Sequence, residues 1–257
     1  MIPAASAGEG DVFELGVLGW LWVGVAVFVA SIVRGIAGFG FSLIVTVLVT
    51  HVLPPATVVP AVLLWEIAAS IGHLPFVYKQ VAWRPLAWLT LGMLFGTPFG
   101  VWVLANLDAR PMCLLINGLV VLFALMLLRG KKPSRAPGAV STSLIGALCG
   151  VINGTSANGG PPAILLFLSS PAGVAVGRAS LIAYFLMTDT WASLFCWQNG
   201  LFSAELGLFA ASMLPVLGLG VALGSRFFRG LDEAKFRKMV LLLLLAVAAV
   251  GLVKSVL

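Results

Sequence analysis

From Leu15 to Val33 the chain runs nineteen residues without a charge, enough to cross the hydrocarbon of a bilayer as one helix. In lipid every backbone N–H and C=O must be satisfied within the protein, so spanning structure is restricted to helices and closed barrels. Apolar runs recur at Phe41 to Leu53, Ala56 to Phe76, Pro85 to Leu104 and Met112 to Leu128. They continue at Val140 to Ile152, Ala163 to Leu168, Val176 to Trp197, Leu206 to Phe228 and Lys235 to Val256. Only 9% of the 257 residues are charged, against about a quarter in soluble domains, which leaves no room for a separate soluble domain. At about 20 residues per span, roughly eight to ten membrane segments are expected.

The net charge of +6 does not point to nucleic acid in such a chain; the cations are topology determinants. Cys113, Cys149 and Cys196 lie in apolar stretches without CxxC spacing, so neither a disulfide framework nor a metal site is expected. The N-terminus carries Glu9, Asp11 and Glu14 in place of the basic region of a signal peptide, so the first helix is expected to be retained. No Walker loop, HExxH or nucleophile-base-orienter spacing is present, so neither an enzyme nor a cofactor is expected.

Two glycine-rich stretches interrupt the apolar runs at corresponding places: Arg34-Gly-Ile-Ala-Gly-Phe-Gly-Phe-Ser42 and Asn153-Gly-Thr-Ser-Ala-Asn-Gly-Gly-Pro-Pro162. Glycine accepts positive φ without a steric cost, and a broken helix exposes backbone amides that a bound anion can satisfy. Paired interruptions of this kind are the strongest sequence pointer to a transport site. The match extends further. Gly35 pairs with Gly154, Gly40 with Gly159, Glu66-Ile-Ala-Ala-Ser70 with Asp189-Thr-Trp-Ala-Ser193, Gly100-Val101 with Gly220-Val221, and Leu107-Asp108 with Leu231-Asp232. This is an internal repeat of about 120 residues, the mark of duplicated transporter halves.

The expected fold is therefore an all-α polytopic membrane protein of two inverted repeats, about five helical segments each, with broken or re-entrant helices. Residues 1–128 form the first repeat, 129–138 a basic cytoplasmic linker and 139–257 the second repeat. With the N-terminus outside, the inside loops hold Arg34, Lys79 with Arg84, the Arg129 to Arg135 cluster, Arg178 and the cations from Arg226 to Lys238. An odd number of segments per half turns the repeats upside down relative to each other. The stripe Gly92, Gly96, Gly100 admits close approach of another helix, in the same chain or in a homodimer.

The second break has the richer ligand chemistry. Asn153, Thr155, Ser156 and Asn158 offer neutral donors, and Gly159 and Gly160 precede Pro161-Pro162, a favourable helix start. Such a site binds an oxyanion through amides and hydroxyls; the plain alternative is that these residues solvate a tight turn. From the first break, Gly38, Gly40 and Ser42 join the candidate set. Arg34 either attracts an anionic substrate or is a positive-inside flank. Glu66 and Asp189, at equivalent positions in apolar runs, are candidates for coupling, since intramembrane ionisable groups are costly. His51 and His73 are read as interfacial.

At these residues the chain resembles the TauE/SafE family of sulfite and organosulfonate permeases. The resemblance covers nearly the whole chain and rests on Gly35-Ile-Ala-Gly-Phe-Gly-Phe-Ser-Leu43 and Gly154-Thr-Ser-Ala-Asn-Gly-Gly-Pro-Pro162. The second copy is similar to the family's Gly-Gly-Pro-Pro pattern. The first departs from it, with Phe39 and Phe41 in place of small residues and no proline at once, so an equal anion-binding role is not carried over to it. The resemblance implies a secondary transporter of small sulfur-containing anions such as sulfite or sulfoacetate, usually outward from the bacterial cytoplasm across the inner membrane, with proton coupling. A passive anion channel, a permease for another small organic anion, and a non-transporting membrane scaffold with the Gly92, Gly96, Gly100 stripe as its assembly surface are the competing readings.

Overall fold

The computed structural model describes residues 15–129, 138–168 and 174–227. The expected last run, Lys235 to Val256, and most of the basic linker lie outside the described residues. Within them every regular element is helical: α1 Val17–Ala37, α2 Phe41–Val49, α3 Pro55–Val77, α4 Trp83–Asn106, α5 Ala109–Arg129, α6 Ala139–Ser156, α7 Gly160–Leu168, α8 Val174–Gln198 and α9 Ala204–Phe227, with a 3-10 turn at Tyr78–Gln80. Six of these (α1, α3, α4, α6, α8 and α9) are long and apolar enough to cross a membrane. The chain is a multi-pass membrane protein.

The breaks are shorter than the sequence suggests. Arg34 and Gly35 remain in the last turn of α1, and only residues 38–40 are unwound. Asn153, Thr155 and Ser156 likewise lie in the last turn of α6, which at 18 residues is a full span rather than a short run. A helix continues until its backbone finds a better partner, and here the same cap ends both. The N–H of Gly38 donates to Arg34 O and that of Ala157 to Asn153 O, each at 2.7 Å, with left-handed φ of 78° and 55°. After each break comes a new helix: α2, nine residues and about 13 Å long, is too short to span, and α7 is described over the nine residues Gly160–Leu168. Neither break lies at a solvated surface: Gly38, Phe39, Gly40, Ala157, Asn158 and Gly159 are all buried.

The halves pack reciprocally. α1 lies chiefly against α9 and α6 against α4, so the first helix of each half packs on the fourth helix of the other, while α3 packs on α8 between them. Glycine stripes make this possible. A Cβ on Gly92, Gly96 or Gly100 would strike the backbone of Ser143, Ala147 or Val151 on α6, and one on Gly146, Gly150 or Gly154 would strike α4. At the other contact Gly35 and Gly224 meet backbone to backbone, and Gly220 sits against Phe28 and Ser31. Small residues let helices approach this closely, which lipid cannot drive by hydrophobicity alone. The stripe is thus consumed within one chain and gives no support to a homodimer. It also corrects a register: Gly154 faces Thr97, Gly100 and Val101 as Gly35 faces Val221, Gly224 and Ser225, so Gly100 corresponds in packing to Gly224, one turn beyond Gly220.

Candidate anion-binding site

The reciprocal packing buries both breaks at the centre, and the polar residues of α1, α3, α6 and α8 converge there. Arg34, 2% exposed, pairs through Nη1 with Glu66 Oε2 of α3 and donates from Nη2 to Ser70 Oγ at 2.8 Å. Glu66 and Ser70 are one helical turn apart and so share a face of α3. The other carboxylate oxygen, Glu66 Oε1, accepts the backbone N–H of Ser42 at 3.3 Å. Ser42 stands in the first turn of α2, where amides have no intrahelical partner and the helix dipole favours negative charge. Gly40, with φ 93°, makes the turn that aims this helix start at Glu66, and Gly38 makes the turn before it. A guanidinium and a helix N-terminus therefore grip one oxyanion, the carboxylate of Glu66.

The second half repeats the wiring with different chemistry. Asn153 takes the place of Arg34: its Nδ2 donates to Asp189 Oδ1 at 2.8 Å, and its Oδ1 accepts the N–H of Gly159 at 3.2 Å. Each half thus joins the last turn of its first helix to the acid on its third, and each caps an amide of its break with a side-chain oxygen. The second half holds no cation at this position. Asp189 Oδ2 and Asn158 Oδ1 are buried without a hydrogen-bond partner, and Asp189 is within electrostatic reach of both Glu66 and Arg34.

Two contacts connect the breaks. Asn158 Nδ2 donates to Thr46 Oγ1 of α2 at 3.0 Å. The Phe185 ring of α8 lies beneath the Arg34 guanidinium, 5.6 Å from centroid to Cζ, and its edge closes over Gly160. A guanidinium on an aromatic face is held by the ring quadrupole while its edges stay open to oxyanions.

Of the residues expected from sequence, Arg34, Gly38, Gly40, Ser42, Asn153, Asn158, Gly159, Gly160, Glu66 and Asp189 are brought together by these contacts. Thr155 and Ser156 are buried nearby, but their hydroxyls donate to Val151 O and Ile152 O one turn back, so they are spent within α6. Pro161 and Pro162 have no N–H, and that of Gly159 is taken. The first break, with Arg34 and Ser42, accordingly turns a cation and a helix-start amide on one carboxylate, whereas the second offers amide side chains. Arg34 is buried at the centre rather than flanking the membrane. Arg178 is not a simple loop cation either: its Nη2 donates to Gly35 O at 3.2 Å and its stem covers Gly38. Sequence reasoning did not single out Phe185 or Thr46, and it read Arg178 only as an inside-loop cation. The repeated acid-to-serine spacing was the available signal for Ser70.

The family model described as Sulfite exporter TauE/SafE matches residues 23–250. The chain is similar to a probable sulfite/organosulfonate exporter TauE of Cupriavidus necator, 29% identical over 221 residues covering 83% of this chain and 86% of that one. It is also similar to a probable inner membrane transporter protein TsaS of Comamonas testosteroni, 29% identical over 190 residues covering 72% and 78%. No solved structure matches. With the family model spanning both halves and both breaks, the chain belongs to the TauE/SafE sulfite exporter family.

Proposed function

We propose that this protein is a secondary transporter of small sulfur-containing oxyanions, sulfite or an organosulfonate such as sulfoacetate, working outward across the bacterial inner membrane by alternating access. One observation carries the reading: the Arg34 guanidinium and the Ser42 amide already hold an oxyanion, the Glu66 carboxylate, inside the protein. A sulfonate or sulfite group presents the same oxygens at similar spacing and charge, so the donors that hold a carboxylate suit it. The family membership and the name of the Cupriavidus necator relative support the sulfur-containing class, and the name of the Comamonas testosteroni relative supports transport at the inner membrane. The burial of the donors supports a carrier, since a site sealed at the centre must open to each side in turn.

In this reading the substrate site comprises Arg34, Ser42 and the break glycines, with Asn153 and Asn158 from the other half, and Glu66 and Asp189 serve coupling. The two halves are inverted repeats joined by a basic cytoplasmic linker, with the N-terminus outside. The reciprocal packing of α1 on α9 and α4 on α6 supports a two-fold relation between them.

The test is flux in proteoliposomes. Sulfite and sulfoacetate should be taken up with saturation and show accelerated exchange against internal unlabelled anion, and Arg34→Gln should reduce the flux at least about tenfold, the loss of one charge-assisted contact. Unsaturable current in planar bilayers would identify a channel instead. Flux unchanged in Arg34→Gln would remove the site from the pathway.

A further inference from the structure

Resting on that reading, we propose that Glu66 is a tethered competitor of the transported anion, so that each singly charged sulfonate group bound at Arg34 brings one proton onto Glu66. The geometry leaves the substrate little choice. Both carboxylate oxygens of Glu66 are engaged, one by Arg34 and one by the Ser42 amide, and these are the donors an incoming oxyanion needs. All three residues are buried, at 2%, 2% and 8% exposure. An anion can take the seat only by displacing Glu66.

A displaced, ionised Glu66 would sit beside the new anion with one guanidinium between them and Asp189 close by. Unpaired charge inside a protein is costly even after relaxation, enough to offset what a good ion pair returns. Protonation of the freed carboxylate oxygen removes that charge. The exchange balances: the Arg34–Glu66 ion pair, one incoming sulfonate group and one proton from water become an Arg34–sulfonate pair and a neutral Glu66 carboxylic acid. The charge at the Arg34 seat is the same before and after; the second acid group of sulfoacetate is ionised throughout and takes no part in the exchange.

The surrounding groups allow this assignment. Arg34 on α1 pairs with Glu66, and Asp189 on α8 acts on it from the second half. Arg178 on α8 and His73 on α3 are within electrostatic reach of each other, and His73 also feels Arg34. α2 carries no titratable residue, and the described charges of α4, α5 and α9 sit in the terminal turns of those helices. In the second half the role of Glu66 toward the break amide falls to the Asn153 side-chain carbonyl, which cannot take up a proton at these pH values. At the Arg34 seat the linkage is therefore one proton per anion, carried by Glu66.

The experiment is sulfoacetate binding to the purified full-length protein, followed by calorimetry between about pH 6 and pH 8, where sulfoacetate stays fully ionised. Its Kd should rise with pH, approaching about tenfold per unit, the slope of a one-proton linkage. Adding sulfoacetate to unbuffered wild-type protein should raise the pH by about one proton taken up per site filled. Glu66→Gln should bind with a flat pH profile and more tightly than wild type at the upper end. If the variant is unstable in detergent, the proton uptake by wild type decides alone. Binding without proton uptake, or a slope that survives Glu66→Gln and disappears in Asp189→Asn, overturns the proposal while leaving the anion site intact. Failure of wild type to bind either sulfoacetate or sulfite overturns the functional reading and this proposal with it.

Discussion

Asn158 and Thr46 stand 112 residues apart, yet the Asn158 amide donates to the Thr46 hydroxyl at 3.0 Å and fastens the unwound turn of one half to the short helix of the other. Asn158 is fully buried, and Thr46 in turn donates to Ser42 O at 2.6 Å, so the chain of bonds runs from the second break to the residue that grips Glu66. The breaks form one structure. Asn158→Ala leaves a buried hydroxyl with one partner fewer and should lower stability by about 1–3 kcal/mol. Thermal unfolding of Asn158→Ala, Thr46→Val and the double variant should show the two losses to be non-additive.

The glycine stripes give a sharper contrast. Gly96→Ala places a methyl against the Ala147 backbone, which cannot step aside without parting α4 from α6, so a loss of at least about 1–3 kcal/mol is expected. Gly118→Ala in α5 meets open space and should be neutral or stabilising by up to roughly 1 kcal/mol through helix propensity. Unfolding midpoints of the two variants measured side by side check the pair.

At the breaks, backbone conformation is what matters. Gly38 and Ala157 occupy the same left-handed cap, so Gly38→Ala should cost about 1–2 kcal/mol, with the Arg178 stem shifting to make room. Ala157 already bears that strain, and Ala157→Gly should be tolerated with little change in stability. Proteolytic sensitivity near each turn and the unfolding midpoint are the readouts.

Asn153 joins an acid to an amide, so Asn153→Ala strands Asp189 Oδ1 and the Gly159 N–H together. A loss of about 2–3 kcal/mol is expected, with Asn153→Asp worse because it sets a second carboxylate against Asp189. Thermal unfolding ranks the two.

Much of the fold was legible in the sequence because the bilayer leaves so few solutions: the helices follow from apolar runs, and the two breaks from their glycines. Helix ends were not. Arg34 and Asn153 looked like the start of loops, whereas each lies in a last turn, since local composition does not say how far the intrahelical bonds persist. The pairing of Arg34 with Glu66 spans 32 residues and two turns of chain, beyond any periodicity argument. Phe185 reads as one more apolar residue of a membrane helix, and only the fold brings it under Arg34. Composition also does not display that Thr155 and Ser156 donate their hydroxyls to their own helix, a habit of such residues.

The central claim is that the seat between Arg34 and the α2 N-terminus receives the transported oxyanion. Sulfoacetate binding to the Arg34→Gln/Glu66→Gln double variant tests it most directly, because replacing both members of the ion pair removes the cation without stranding a buried carboxylate. Saturable binding by wild type and a loss of at least about a hundredfold in the folded double variant is the predicted result. Equal binding by the two proteins would contradict it.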